Sequence, residues 1–258
     1  MLDPGRATMK PAAIALLVAL AQERRALQRC LHSLRGWRTQ TCHGLVGRYA
    51  DRPVILIQTG IGFDRARNAL VSASHQFSIA GACSLGFAGG LVDSLRVGDL
   101  VCPRLVLKDD GERGTPFAAA PIHGVVAAAL CEARVSLSDG PVLSVASPLR
   151  TTEAKRAAAR RTGAMAVDME AAGVAEAAQG LGIAWLALKS VLDTVDEQLP
   201  AFLSDCTTAR GNLRWRGVAW NLAFGLRGRA LHRLARASRR AAEAIQRGLD
   251  VALASWSP

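Results

Sequence analysis

Four short segments of the 258-residue chain gather residue types that could do chemistry. Ala19-Leu20-Ala21-Gln22-Glu23-Arg24-Arg25 places a carboxylate and two guanidiniums directly after an apolar run. Thr59-Gly60-Ile61-Gly62 is a glycine turn, and Leu85-Gly86-Phe87-Ala88-Gly89-Gly90-Leu91, with Val97-Gly98-Asp99 downstream, is a second glycine-rich stretch. Ala166-Val167-Asp168-Met169-Glu170-Ala171 and then Ser190-Val191-Leu192-Asp193 add further carboxylates. Carboxyl groups can give or take a proton in a transition state, and glycines let backbone approach a ligand closely. Each segment also has a simpler explanation. Gly-Ile-Gly and Gly-Gly serve tight turns, Glu23 and Glu170 suit the positive first turn of a helix, and Asp193 suits an N-cap or a turn. Their joint order is the specific signal, because each follows an apolar run and open α/β sheets bind ligands at strand ends.

The elements that must position these residues alternate along the chain. β-Branched apolar runs predict strands near 13–20, 45–49, 54–58, 81–85, 99–107, 142–146, 165–168 and 183–191. Ala-rich stretches predict helices over 22–34, 64–74, 122–132, 153–161 and 171–179, and the polar stretch 108–115 reads as an exposed loop. The alternation points to an α/β domain with a largely parallel or mixed sheet, covering residues 11–200.

The run 11–21, following Arg6 and Lys10, could pass for a signal peptide ending in Ala19-Leu20-Ala21. It reads instead as a buried first strand, because the residues after it fit an active site; Met9 is an alternative start. No apolar run reaches the roughly 18 to 20 residues needed to span a bilayer. Cys30, Cys42, Cys83, Cys102, Cys131 and Cys206 lack metal-type spacing, which predicts reduced thiols in a cytoplasmic protein.

Beyond Pro200 the texture changes to a basic helical extension, 201–258, packing on or extending the same domain. From Arg210 onward ten arginines face only Glu243 and Asp250, so +8 of the chain's +11 resides there. Helical stretches are predicted over 206–224 and 229–254. In the second, Leu231, Leu234, Ser238, Ala241, Ile245, Leu249, Ala252 and Trp256 share one stripe. That stripe either packs on the sheet or, with Trp215, Trp220 and Trp256 as interfacial anchors, lies on an anionic membrane surface. A nucleic-acid-binding protein is disfavoured, since the charge is confined to the tail and no nucleic-acid motif accompanies it.

Taken together, the motifs resemble the superfamily of purine nucleoside phosphorylases, uridine phosphorylase and methylthioadenosine/S-adenosylhomocysteine nucleosidases, from about Ala13 to Asp196. Gly-Phe-Ala-Gly-Gly-Leu with Gly-Asp-Leu-Val looks like the family's Gly-Ser-Ala-Gly-Gly-Leu with Gly-Asp-Ile-Val. Val-Asp-Met-Glu looks like its Val-Glu-Met-Glu, and Val-Leu-Asp like its Ile-Ser-Asp. The resemblance implies a three-layer α/β/α fold with a central mixed sheet and cleavage of the N-glycosidic bond of a purine nucleoside. It makes Asp193 the acid that protonates the leaving base at N7, a role typically worth about 10² to 10⁴ in rate. Glu170 would hold the ribose hydroxyls near a ring that becomes oxocarbenium-like, with Met169 packed on the ribose. Gly86, Phe87, Ala88 and Val167 would lie close to sugar and base. Glu23 matches the glutamate that activates water in the hydrolytic members. Phosphorylases instead hold phosphate with Arg and Ser around the fourth strand; here 82–87 has no Arg, although Arg24, Arg25 and Arg65 are candidate phosphate ligands. Phosphate would be a co-substrate only in that second case; no metal, nicotinamide or flavin is implied. Two positions depart from the pattern. Phe87 stands where relatives have a small hydroxyl residue, and Leu149, in Ser147-Pro148-Leu149-Arg150, stands where they often stack an aromatic on the purine.

Ala-Gln-Glu-Arg-Arg, Val-Asp-Met-Glu and the basic tail together look like the hopanoid-biosynthesis branch, whose members remove adenine from adenosylhopane. The expected substrate is thus a lipid-linked adenine nucleoside, met at the inner face of the membrane. The alternatives are a soluble methylthioadenosine/S-adenosylhomocysteine nucleosidase, a phosphorylase and a non-catalytic nucleoside sensor. Retention of all three carboxylates disfavours the sensor, and the resemblance implies a homo-oligomer.

Overall fold

Every residue of Ala13–Val18 (β1) is buried, as a strand is when helices cover both faces of a parallel sheet. Its side chains alternate between two cores. Ala13, Ala15 and Leu17 join Ala66, Ala69 and Leu70 of α2 (Phe63–Ser74) and the alanines of α5 (Ala171–Leu181) on one face. Ile14, Leu16 and Val18 join Leu27 of α1 (Ala21–Gln28), Val126 and Leu130 of α3 (Ile122–Glu132), and Ile245 and Leu249 of α6 (Gly228–Ser255) on the other. The period of two along one strand therefore builds a three-layer α/β/α fold. The computed structural model describes residues 12–39, 42–198 and 228–256; the expected helix over 206–224, with Trp215 and Trp220, lies outside them.

Between these elements run β2 (His32–Arg38), β3 (His43–Tyr49), β4 (Arg52–Gln58), β5 (Ile79–Gly90), β6 (Leu100–Val101), β7 (Leu105–Lys108), β8 (Thr115–Ala118), β9 (Leu137–Ser138), β10 (Val142–Ser144), α4 (Thr152–Thr162), β11 (Ala166–Asp168) and β12 (Ala184–Asp193). The mixed sheet runs β2-β3-β4-β1-β5-β11-β10-β7-β8, with β12 pairing both β5 and β6, and β9 beyond β6. β1 lies parallel to both β4 and β5. The twelve-residue β5 is the pivot. It runs parallel to β12 from Gly81 to Gly89, and its last two residues turn antiparallel to β11.

Several boundaries differ from the sequence reading. The predicted helix 22–34 stops at Gln28, and His32–Arg38 instead forms a strand antiparallel to β3. Leu27 and Leu31 are buried with helical spacing, whereas Leu34 packs over Gly47 on β3, so tertiary pairing overrides the local period. The single strand expected over 99–107 is two, interrupted around Pro103. β6 pairs β12 and β7 pairs β10, and a proline without an N–H marks the crossing. The loop at 108–115 is closed by β8, which returns antiparallel to β7 from Thr115. The strand expected over 81–85 runs on through the glycine-rich stretch to Gly90 as β5. Cys30, Cys42, Cys83, Cys102 and Cys131 are free thiols.

The tail helix α6 is part of the core. Ala241, Ile245, Leu249, Ala252 and Trp256 are all buried, and Trp256, expected as an interfacial aromatic, lies under Gly81, where a β-carbon would come within 2.5 Å of its ring. Its last carbonyls are not left bare. Arg52 of β4 donates to the Leu253 and Trp256 carbonyls, and the Tyr49 hydroxyl donates to that of Asp250 at 3.2 Å. No helix among the described residues is long and apolar enough to cross a membrane. Removing a fully buried leucine from such a seam leaves a cavity. Leu249→Ala should therefore cost about 2–5 kcal/mol in urea unfolding; a loss below about 0.5 kcal/mol, the scale of a surface substitution, would show that the extension is not part of the core.

Candidate active site

The three carboxylates singled out in the sequence meet around one cavity of about 220 Å³ at the ends of β1, β5, β11 and β12. Glu23, Phe87, Ala88, Leu149, Val167, Met169, Glu170 and Asp193 all line it. Gly86 stands behind the wall, where it makes room for Glu23. With φ at 144°, a β-carbon there would lie 2.8 Å from Glu23 Oε1. A larger groove of about 580 Å³ runs beside α6, lined by Arg233, Arg236 and Arg240. That groove gathers no buried carboxylate, so the chemistry belongs to the smaller cavity.

Glu23 and Glu170 are each held by backbone amides. Glu23 sits in the first turn of α1, where its Oε2 accepts the Leu20 N–H at 2.7 Å and its Oε1 accepts the Phe87 N–H at 2.9 Å. It thus caps its own helix and ties β1's end to β5, and each oxygen keeps a second lone pair for a water or ligand. Glu170 stands at the N-cap of α5, and its Oε1 accepts the Gly62 N–H at 2.8 Å. Gly60 and Gly62, at φ 82° and 109°, shape the turn that aims that amide. The Gly-Ile-Gly motif therefore serves a carboxylate. Asp193 ends β12 beyond a register shift that sets it opposite Gly89. A β-carbon on Gly89 would lie 3.3 Å from Asp193 Oδ2 and 3.2 Å from Val167, so a side chain there would press on the acid and on Val167.

Two buried lysines, absent from the sequence reading as site residues, balance these charges. Lys189 of β12 lies 2.8 Å from Asp168 Oδ2, whose other oxygen accepts the Ser144 hydroxyl at 2.5 Å. Lys155 of α4 donates to Asp193 Oδ2 at 2.5 Å. The signal for Lys189 was available, since a lysine inside Ala184-Trp185-Leu186-Ala187-Leu188-Lys189 must be paired if that run is a strand. Lys155 sits in a polar stretch and gave none.

Burial pushes all three acids above the ordinary carboxylate range. For Glu23 the Leu20 and Phe87 amides and Lys189 pull back; for Asp193 Lys155 does so. Burial, with repulsion from Asp168, pushes Glu170 up to about 8 against the attraction of Lys189 and the Gly62 amide. For Lys189 burial acts downward, but Asp168, Glu170 and Glu23 together raise it, so it stays an ammonium. Such a site can hold protons near neutral pH and release them to a bound molecule.

Arg24, Arg25 and Arg65 do not line the cavity. Arg24 donates to Gln58 at 3.0 Å, and the other two are exposed. Among the described residues no cluster of His, Cys, Asp and Glu could hold a metal ion.

The three-layer fold with carboxylates converging at its strand ends accords with an enzyme of the nucleosidase and nucleoside phosphorylase superfamily, the class to which the sequence matches assign the chain. Residues 13–214 match the family model described as the phosphorylase superfamily, and the chain belongs to that family. It is 26% identical over 206 residues to a 5′-methylthioadenosine/S-adenosylhomocysteine nucleosidase of Marinomonas sp., covering 72% of this chain and 88% of that one. A nucleosidase of the same name from Shewanella denitrificans is 26% identical over 170 residues, 60% of this chain and 74% of its own. Two solved structures share the fold. The nucleosidase of that name from Neisseria meningitidis, in complex with methylthio-immucillin-A, superposes with TM-score 0.76 at 18% identity, covering 95% of this chain and 99% of that one. Futalosine hydrolase of Helicobacter pylori does so with TM-score 0.76 at 17% identity, covering 95% and 98%.

The charge balance predicts a pH signature. Lys189→Met leaves Asp168 and Glu170 buried without their cation, a change typically costing about 3–5 kcal/mol. The Glu170 carboxyl, already lifted by burial and lowered by Lys189 and the Gly62 amide, then rises further, so acid supplies the missing neutralisation and the loss grows as pH climbs above the unfolded carboxylate range. Urea unfolding at pH 5 and pH 8 should show the larger loss at pH 8. Equal losses would mean that Lys189 acts through packing alone.

Proposed function

We propose that the protein hydrolyses the N-glycosidic bond of a purine nucleoside with an apolar 5′ substituent, of the methylthioadenosine and adenosylhomocysteine kind. The observation that carries this reading is the convergence of Glu23, Glu170 and Asp193 on one largely apolar cavity. As the bond between C1′ and N9 breaks, its electron pair passes to the base and Asp193 protonates N7, so a neutral purine leaves. Glu170 accepts the ribose hydroxyls; their hydrogen bonds favour the ionised carboxylate, which then faces the developing oxocarbenium charge. Glu23 takes a proton from water as the water oxygen bonds to C1′. The products are the free purine and a ribose bearing a new 1-hydroxyl.

Water is favoured over phosphate because Glu23 lines the cavity and Arg24, Arg25 and Arg65 do not. Leu20, Ile61, Phe87, Leu149 and Leu192 give the cavity few polar partners for a free 5′-hydroxyl, which favours a thioether or another apolar substituent. The relatives are named for methylthioadenosine and adenosylhomocysteine, which favours a thioether nucleoside over adenosylhopane. The lipid-linked substrate then rests on the tail, whose apolar stripe is spent on the sheet from Ala241 onward and leaves arginines outward. A homo-oligomer working in the cytoplasm accords with this reading.

Purified protein offered methylthioadenosine, adenosine and adenosylhopane, with and without phosphate, should release adenine fastest from methylthioadenosine and independently of phosphate. Asp193→Asn should slow that release by about 10²- to 10⁴-fold while the protein stays folded. Phosphate-dependent release would make the enzyme a phosphorylase, a preference for adenosylhopane would restore the lipid-linked substrate, and wild-type turnover in Asp193→Asn would remove Asp193 from its role.

A further inference from the structure

Lys155 projects from the second turn of α4, a helix begun by the Thr151 hydroxyl, which accepts the Ala154 N–H at 3.2 Å. Its side chain is fully buried. All three ammonium protons are used. They go to Asp193 Oδ2 at 2.5 Å, the Thr194 carbonyl at 2.6 Å and the Glu197 carbonyl at 2.7 Å. A buried lysine with this set of acceptors is costly to place unless each bond is made, and here every bond falls on Asp193 or the turn that follows it.

The same helix grips that turn a second time. Arg156 binds Asp93 at 2.7 Å and Asp196 at 2.9 Å. Inside the turn Glu197 accepts the Thr194 N–H at 3.0 Å, and from α6 Arg233 approaches Glu197 at 3.8 Å. The charged groups around Asp193 are therefore Lys155 and Arg156 from α4, Asp196 and Glu197 from its own turn, Arg233 from α6, and Glu23, Asp168 and Glu170 on the other walls of the shared cavity. β5 meets it with uncharged Gly89. Among the described residues Lys155 is the charged group that bonds the carboxylate.

We propose that Lys155 is a positioning residue for Asp193, fixing Oδ2 and the following turn so that Oδ1 is the oxygen left to exchange a proton with the purine. This rests on the function proposed above. The lysine also opposes the upward pull of burial on the Asp193 carboxyl, whereas Glu197 adds to it. An acid held too high would give up its proton poorly, and a cation in direct contact typically lowers a carboxylate by about 1–3 pH units.

The test compares the pH dependence of kcat/KM for adenine release in wild type, Lys155→Met and Lys155→Arg. With the cation gone Asp193 keeps its proton to higher pH. The alkaline limb of Lys155→Met should therefore move up by about 1–3 pH units, while Lys155→Arg, which keeps the charge, should hold the limb near its wild-type position. The same change in an Asp193→Asn background reads the coupling without turnover. There Lys155→Met should cost less stability than in wild type, because no orphaned carboxylate remains, and the double variant should fold even if Lys155→Met alone does not. Lost stability with an unmoved limb, or stability losses that add independently, would overturn the proposal and make Lys155 a structural lysine. Absence of adenine release from wild type would defeat the proposed function instead, and the stability coupling would still decide whether Lys155 governs Asp193.

Discussion

Glu23, Asp168 and Lys189 are buried from water, with Glu170 beside them at the cavity wall, and an unpaired charge there would cost several kcal/mol. The arrangement therefore has to neutralise itself. Lys189 bonds Asp168 directly and favours the ionised form of Glu23 and Glu170 through space, while backbone amides from Leu20, Phe87 and Gly62 each donate one hydrogen bond to those two carboxylates. What is left is a pair of acids, Glu23 and Glu170, lifted above their usual range by burial but not made inert. Groups so placed can carry protons near neutral pH, a property that single exposed carboxylates lack.

That electrostatic balance is possible only because strand ends converge. β5 is long enough to pair β1 and β12 along its length and β11 at its tip, so three carboxylates from distant parts of the chain arrive at one rim. Gly86 and Gly89 keep the β5 surface bare where Glu23 and Asp193 lie against it. The register shift before Asp193 lifts that residue out of the regular ladder and sets it opposite Gly89. Glycines in this enzyme thus make room for its own acids at least as much as for a ligand.

The far side of the sheet is closed by α6, whose buried stripe completes the second core. An amphipathic basic helix can lie on a membrane or on its own protein, and burial of Ile245, Leu249 and Trp256 shows the second for this stretch. Its outward face carries arginines, and Arg233 reaches the turn after the candidate acid, joining the extension to the site's outer wall.

How much of this was legible beforehand follows from the range of the interactions concerned. Local periodicity located most strands and helices, because burial on one face or on both leaves a pattern within a few residues; the order of Glu23, Gly86–Gly89, Glu170 and Asp193 marked the rim of the site. Pairing partners are not local. His32–Arg38 became a strand because β3 offered it an edge, and 99–107 split because its halves found different neighbours. Lys155 and Lys189 could not be assigned to Asp193 and Asp168 from their own surroundings, for the cost of burying a charge is decided by which opposite charge the finished fold brings within about 3 Å. Types and order of the acids belong to the chain; their raised proton affinity and their partners belong to the fold, because only packing removes the water that would otherwise screen each of them alone.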